Sequence, residues 1–134
     1  MTFFLDTNAV IRYLTRDDPQ KADRVGQLLR HIRNQQMELV LTHLAIAEII
    51  WVLGKEYQFS KEEIADGMRQ IVNTPHIRCE EIHHILSVLD LYVSKNISFI
   101  DAYHAVFLPA QGITTFYSYD TDFDQINGIT RKEP

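Results

Sequence analysis

Short apolar runs alternate along the chain with longer segments in which apolar residues recur at helical spacing. The short runs predict strands at residues 2–5, 38–41, 76–79 and 113–119, with an edge strand at 126–131, and the first is expected to be buried. The longer segments predict helices at residues 9–15, 19–34, 43–55, 81–95 and 99–108, and one that Ser60 caps and that runs through Val72. This alternation is typical of a parallel sheet covered by helices on both faces, so the predicted fold class is α/β.

Two acids directly follow predicted strands. Asp6 comes after the first strand and Asp120 after the strand at 113–119, while Asp122 and Asp124 follow in a predicted loop. In a parallel α/β sheet, ligands bind just beyond the carboxyl ends of the strands, so acids at these positions are candidates for a site. The structural alternatives are ordinary ones, because Asp is also favoured as a helix N-cap and as a turn residue.

Two more acids lie within apolar helices. Glu48 is the only charged residue in the segment 44–53, which predicts a largely buried helix, where an unpaired carboxylate costs on the order of several kcal/mol. Its alternative is a salt bridge or a narrow polar stripe. Asp101 follows Ser98 by three residues and so fits the partner of a serine cap, although that motif normally uses Glu or Gln. The helix that contains Asp101 is apolar nearly all round, which predicts that it is buried.

The acids Asp6, Glu48, Asp101 and Asp120 are expected to meet at one edge of the sheet. Strand-end acids lie at that edge, and helices that follow strands begin there. Several carboxylates cannot share a site and all stay ionised unless cations lie between them. Mg²⁺ and Mn²⁺ prefer oxygen ligands, and such sites typically act on phosphate esters. The sequence therefore predicts a hard divalent cation and phosphodiester chemistry.

The charge balance limits how a nucleic acid could be bound. The chain has 13 Lys and Arg against 18 Asp and Glu, a net charge of -5, which argues against broad electrostatic binding of nucleic acid. A nucleic acid held through metal ions is compatible with that charge, because cation-binding carboxylates count as negative. Arg12 and Arg16 form an i, i+4 pair after Asp6, which fits either contact with a phosphate backbone or a solvated helix face.

The remaining composition predicts a single domain, residues 1–134, in the cytoplasm. Cys79 is the only cysteine, which excludes an intrachain disulfide and a cysteine zinc cluster and fits a reducing compartment. The chain begins on a strand-like segment without the pattern of a signal peptide. The densest apolar stretch, residues 44–53, is too short to cross a bilayer, so no membrane association is expected.

The chain resembles PIN-domain nucleases, and within them the VapC-type toxins of type II toxin–antitoxin pairs. The resemblance covers nearly the whole chain, and the order and spacing of its motifs are more specific than any one of them. These motifs are Phe4-Leu5-Asp6-Thr7-Asn8, the Glu48 helix ending in Trp51-Val52-Leu53, Phe99-Ile100-Asp101-Ala102, and the segment from Thr115 to Phe123.

The resemblance implies a three-layer α/β/α sandwich with a central, mostly parallel sheet and Mg²⁺- or Mn²⁺-dependent endoribonuclease activity on RNA. Asp6, Glu48 and Asp101 match the three most regular acids of the family, which would hold metal, orient the attacking water and offset phosphate charge. The fourth position varies in the family; Asp120 matches it best, and Asp122 fits the same role or a share in it. The resemblance also implies a small cognate antitoxin and a homodimer of the toxin.

The same acids are compatible with other functions. The same fold also fits a nuclease that processes DNA or RNA without an antitoxin, and a non-catalytic interaction module. A non-catalytic module is expected to have lost one or more of the four acids of the site, whereas Asp6, Glu48, Asp101 and Asp120 are all present here. A phosphoacceptor receiver domain needs an acidic neighbour of its first strand-end Asp and a late lysine; Asp6 has no such neighbour, and no lysine lies between Lys95 and Lys132.

Overall fold

The computed structural model describes the whole chain, Met1–Pro134. The six α-helices are α1 (Thr7–Thr15), α2 (Pro19–Asn34), α3 (His43–Lys55), α4 (Lys61–Val72), α5 (Ile82–Ser94) and α6 (Phe99–Ala110). The five strands are β1 (Thr2–Phe4), β2 (Glu38–Val40), β3 (Ile77–Arg78), β4 (Thr115–Tyr117) and β5 (Thr130–Lys132), and a 3-10 helix spans Thr121–Gln125. No helix has both the length and the apolar character that crossing a membrane requires.

All the strand pairs are parallel, as the alternation of strands and helices predicts. One sheet has the order β1-β2-β3, with Phe3 opposite Leu39 and Leu39 opposite Ile77. In the other, β4 pairs with β5, with Phe116 opposite Arg131. All the expected strands are present, although β4 is shorter than residues 113–119 and β5 begins later than residue 126. The later start follows from a turn before β5, in which Gly128 adopts a left-handed φ of 88°.

The chain divides into two compact units, and the first is Met1–Glu80. In this unit α1 packs against both α2 and α3. Its largest fully buried side chains include Leu41, Ile46, Ile49, Leu53, Ile64 and Met68. The expectation of a buried first strand is wrong for β1, since Phe4 is 58% exposed. β1 lies at the edge of its sheet, whereas Leu5, just beyond it, is buried and donates its N–H to the carbonyl of Val40.

The second unit is Glu81–Pro134, in which α5 packs against α6. Only one side of α6 is buried, through Phe99, Ala102 and Ala105, so the expectation of a buried helix is wrong for its other side. Apolar composition does not separate the covered face of a helix from an exposed one. Phe116 of β4 and Phe123 of the 3-10 helix are buried with their rings edge to face, 5.1 Å between centroids. This contact fixes the segment that carries Asp120 and Asp122.

Helix starts follow the predicted capping residues. Asp18 caps α2 by accepting the N–H of Lys21, with Pro19 at the first helical position. Ser60 and Glu63 form a reciprocal capping box at the start of α4. Ser98 caps α6 by accepting the N–H of Asp101. These local hydrogen bonds set where each helix begins, and the last of them sets the position of Asp101.

Candidate functional site

Asp6 occupies the N-cap position of α1, but its carboxylate is not used as a cap. Its backbone is extended, and its side chain makes no capping hydrogen bond. The buried neighbour Leu5 anchors the segment in the sheet, while Asp6 itself is exposed. The capping alternative therefore does not account for Asp6, whose carboxylate oxygens are accessible to a ligand.

Glu48 lies on the exposed face of α3, so the expectation that it is buried is wrong. The apolar residues of α3 divide between a buried face and an exposed one, where Leu44 and Trp51 are 83% and 64% exposed. The Glu48 carboxylate is nevertheless oriented, because the Thr7 hydroxyl donates a hydrogen bond of 3.1 Å to its Oε2. Thr7 is itself only 7% exposed, which fixes its position. Neither a salt bridge nor burial explains Glu48.

One open cavity of the first unit is lined by both Asp6 and Glu48. Its volume is about 260 Å³. The other lining residues are Thr7, Asn8, Ile11, Arg12, Val52 and Tyr57. The structure thus brings the first two predicted acids to one cavity, together with one cationic side chain and one phenol.

Three predicted acids of the second unit form a cluster. One carboxylate oxygen from each of Asp101, Asp120 and Asp122 lies within 4.8 Å of the other two. The N–H of Asp120 donates to the Ser118 hydroxyl at 2.9 Å, and Asp120 Oδ1 accepts the N–H of Asp122 at 2.9 Å. Asp120 therefore does act as a turn residue, through its backbone N–H and Oδ1. Its second carboxylate oxygen, Oδ2, is not used in this turn.

The pKa of Asp101 is raised above its ordinary value by this environment. Partial burial is the largest cause, followed by the hydrogen bond with Asp120 and the negative charge of Asp120. The hydrogen bond with Ser98 opposes the increase in pKa, and the charge of Asp122 adds to it. The ionised form of Asp101 is thus disfavoured unless positive charge is brought to the cluster.

The cluster fits a hard divalent cation. It offers only carboxylate oxygens, which Mg²⁺ and Mn²⁺ prefer over nitrogen or sulfur. Among three ligands of an octahedral Mg²⁺, at most one pair is opposite, about 4.2 Å apart, and adjacent ligands lie about 3 Å apart. The three oxygens, which lie within 4.8 Å of one another, would therefore have to move closer together to hold one ion, and Asp120 and Asp122 are exposed side chains that are able to rotate.

Asp124 is engaged elsewhere, although sequence alone does not separate it from Asp122. Its two oxygens accept hydrogen bonds from Nε and Nη2 of Arg131, at 2.9 and 3.1 Å. This pairing lowers the pKa of Asp124. The carboxylate is thus a structural partner of β5, and Asp122 is the acid of this loop that remains with the cluster.

The sequence gives no indication of the contact among Arg12, Asp17 and Tyr57. Asp17 Oδ2 accepts hydrogen bonds of 2.6 Å from both Arg12 Nη1 and the Tyr57 hydroxyl. The two bonds lower the pKa of Asp17 to about 2, with Tyr57 the larger cause. Tyr57 follows α3, and no local pattern relates a residue there to Asp17.

The chain is similar to known proteins over nearly its whole length. It matches the family model described as PIN domain over residues 3–129. The chain belongs to the PIN domain family. Membership confirms the predicted fold class, a three-layer α/β/α sandwich with a mostly parallel sheet, and agrees with the parallel pairing of all the strands.

Two individual proteins are similar to this PIN domain. A protein named VapC ribonuclease from Aquifex aeolicus (strain VF5) is 21% identical over 122 residues, which cover 91% of this chain and 90% of that protein. A chain in the crystal structure of VapBC2 from Rickettsia felis, bound to a DNA fragment from their promoter, aligns over 99% of this chain and 98% of its own length. The identity in that alignment is 14% and the TM-score is 0.41.

Proposed function

We propose that this PIN domain is an endoribonuclease that requires Mg²⁺ or Mn²⁺ and hydrolyses phosphodiester bonds of RNA. The observation that carries the proposal is the cluster of Asp101, Asp120 and Asp122, whose oxygens lie within 4.8 Å of one another. Family membership and the similarity to a VapC ribonuclease over 91% of the chain support a nuclease that acts on RNA.

The proposed catalytic residues are Asp6, Glu48, Asp101, Asp120 and Asp122. Asp101, Asp120 and Asp122 would hold the cation, and Asp6 and Glu48 are further oxygen donors in their own cavity. When bound, a divalent cation supplies positive charge for the phosphate and lowers the pKa of the attacking water. Thr7 holds Glu48 Oε2, so Oε1 is the oxygen left to accept a hydrogen bond from a water molecule.

We further propose a small antitoxin as the protein partner. The exposed face of α3 supports such a partner, because Leu44 and Trp51 flank Glu48 at the helical spacing i, i+4, i+7. A partner that covers these apolar side chains would also cover the Glu48 carboxylate. The homodimer and the cytoplasmic location stay predictions; the latter agrees with a lone, buried Cys79, whose pKa is raised to about 11 by burial and which is therefore a neutral thiol.

The substrate class is tested by cleavage of two labelled single strands of one sequence, one RNA and one DNA. Purified protein is incubated with each strand in Mn²⁺, in Mg²⁺ and with a chelator. Cleavage of RNA alone, abolished by the chelator, is expected. Cleavage of DNA would favour the DNA-processing alternative, and metal binding without any cleavage would favour the non-catalytic module.

The partner is tested separately by genetic context and co-purification. A short reading frame upstream of this one, overlapping it, is the expected source of an antitoxin. Its product should co-purify with this chain and suppress RNA cleavage. The variant Trp51→Ala should weaken the complex while leaving the cleavage rate of the isolated protein unchanged. Equal complex formation by the variant and the parent would contradict the proposed surface.

A further inference from the structure

Arg12 lies in the wall of the cavity that Asp6 and Glu48 line. Arg12 Nη1 and the Tyr57 hydroxyl both donate to Asp17 Oδ2 at 2.6 Å, which joins three side chains from separate parts of the first unit. Tyr57 lines the same cavity. The guanidinium is therefore held in one place beside two carboxylates instead of extending into solvent.

Most of the hydrogen-bonding capacity of Arg12 is unused within the protein. A guanidinium has five N–H donors, and only Nη1 of Arg12 bonds to Asp17. The Nε–H is buried and has no acceptor. The buried Nε–H is closed to a ligand, so the donors that remain for one are the second N–H of Nη1 and the two N–H groups of Nη2.

Asp17 is suited to hold this arginine under all physiological conditions. Its pKa is lowered to about 2 by the hydrogen bonds from Tyr57 and Arg12, so it is ionised at neutral pH. The phenol of Tyr57 supplies the second donor and restricts which way the carboxylate can turn. Asp17 and Tyr57 therefore act on Arg12 as positioning residues.

Arg16, one helical turn further along, is arranged differently. Its Nη2 pairs with Asp23 at 2.9 Å, and the two side chains are 55% and 63% exposed. Arg16 is not among the residues that line the cavity. The structure thus separates the two arginines that the sequence presents as an equivalent pair, and Arg16 provides a matched control.

We propose that Arg12 binds a backbone phosphate of the RNA substrate at this cavity, and that Asp17 and Tyr57 hold it in position. The inference rests on the proposed ribonuclease function and adds to it a phosphate-binding residue outside the set of acids. The carboxylates Asp6 and Glu48 repel a polyanion, and the Arg12 guanidinium is the one cationic group among the side chains that line their cavity. A planar guanidinium binds phosphate oxygens through two N–H groups at once.

The test measures the binding of a fluorescently labelled single-stranded RNA as a function of salt. All proteins carry Asp101→Asn to prevent cleavage, and the added changes are Arg12→Gln, Arg12→Lys, Tyr57→Phe and Arg16→Gln. Arg12→Gln should weaken binding about tenfold and reduce the slope of log K against log salt by about 0.7, the value for one lost contact to a single-stranded phosphate. Arg16→Gln should change neither quantity by a comparable amount.

Two further variants separate binding from folding. Arg12→Lys keeps the charge but loses the planar fork, so it should keep the parent salt slope while binding more weakly. Tyr57→Phe, made without Asp101→Asn, should raise KM for RNA cleavage and leave kcat near the parent value. A merely structural role for Tyr57 would lower the melting temperature without this separation of KM from kcat.

The outcomes distinguish this inference from the function on which it rests. If the parent cleaves RNA but Arg12→Gln and Arg16→Gln have equal affinities and equal salt slopes, the role of Arg12 is wrong and the ribonuclease function stands. If the otherwise unchanged parent neither binds nor cleaves RNA, both are wrong. Loss of RNA affinity in Arg12→Gln, with its melting temperature and Mn²⁺ affinity retained, is the result that supports the inference.

Discussion

Carboxylate oxygens of Asp101 and Asp120 lie within 4.8 Å of each other, although Asp101 is in the first turn of α6 and Asp120 follows β4. Partial burial, together with the closeness of Asp120, raises the pKa of Asp101. The folded protein therefore holds a proton on Asp101 at a pH where the unfolded chain has released it. Bringing these acids together destabilises the metal-free fold, which is a property expected of a site built for a cation.

The variant Asp101→Asn should stabilise the metal-free protein while abolishing cleavage. Because the pKa of Asp101 is raised in the folded state, the contribution of Asp101 to the free energy of unfolding is complete below pH 3.8, the ordinary pKa of an aspartic acid. This contribution is lost as the pH rises from there through the raised pKa. Urea unfolding with a chelator should therefore show a gain for Asp101→Asn at pH 7 that vanishes near pH 3. A gain of the same size at both values would contradict the assignment to the Asp101 charge.

Mn²⁺ should stabilise the parent protein through the same cluster. A ligand that binds only the folded state at 100 times its Kd adds about 2.7 kcal/mol to the free energy of unfolding. Thermal unfolding across a Mn²⁺ titration should show this gain in the parent, and little of it in Asp120→Asn. An equal gain in both proteins would place the ion elsewhere.

The substitutions Asp122→Asn and Asp124→Asn should have different effects on Mn²⁺ binding and on the melting temperature. Asp122 belongs to the cluster, so Asp122→Asn should weaken Mn²⁺ binding with little effect on the melting temperature. Asp124 pairs with Arg131, so Asp124→Asn should lower the melting temperature and retain Mn²⁺ binding. Calorimetric titration and thermal unfolding of both variants measure the two effects, and the reverse pattern would show that the wrong acid was chosen.

Thr7 should act on the reaction through Glu48. Thr7→Val keeps the buried shape but removes the donor to Glu48 Oε2, so the carboxylate loses its fixed orientation. Partners of this kind typically change activity by about 10- to 100-fold. We therefore expect kcat for RNA cleavage to fall by about tenfold or more in Thr7→Val and to be largely kept in Thr7→Ser, which retains the hydroxyl. Equal rates in the two variants would contradict this role.

Asp17 should contribute to stability at neutral pH and lose that contribution in acid. Its pKa is lowered to about 2 in the folded state, so its contribution is present above its ordinary value of 3.8 and disappears as pH falls through 2. The melting temperature of Asp17→Asn should therefore lie below that of the parent at pH 7 and approach it near pH 2. Asp23→Asn, which breaks an exposed pair, is the control and should change little at either pH.

The sequence was sufficient for most of the fold because its signals are local. The capping box at Ser60 and the proline at position 19 mark helix starts through neighbouring residues alone. Strand ends were less predictable, since the apolar run 113–119 extends beyond β4 at both ends. Where β4 stops depends on its pairing with β5, which no local pattern contains.

The candidate site was predicted in part, for a related reason. Strand ends and helix starts identified Asp101, Asp120 and Asp122 as candidates, and the structure brings them together. The exposure of Glu48 was not predictable, because apolar residues lie on both faces of α3. The roles of Asp124 and Tyr57 depend on partners distant in sequence, Arg131 and Asp17, so composition and spacing could not reveal them.

The most direct test of the carboxylate cluster is cleavage of labelled single-stranded RNA by the parent protein and by Asp101→Asn, each with Mn²⁺ and with a chelator. We expect cleavage only by the parent and only with Mn²⁺, while the variant remains folded. Cleavage by Asp101→Asn at the parent rate would contradict the role of the carboxylate cluster. Cleavage by the parent in the chelator would contradict the requirement for a divalent cation.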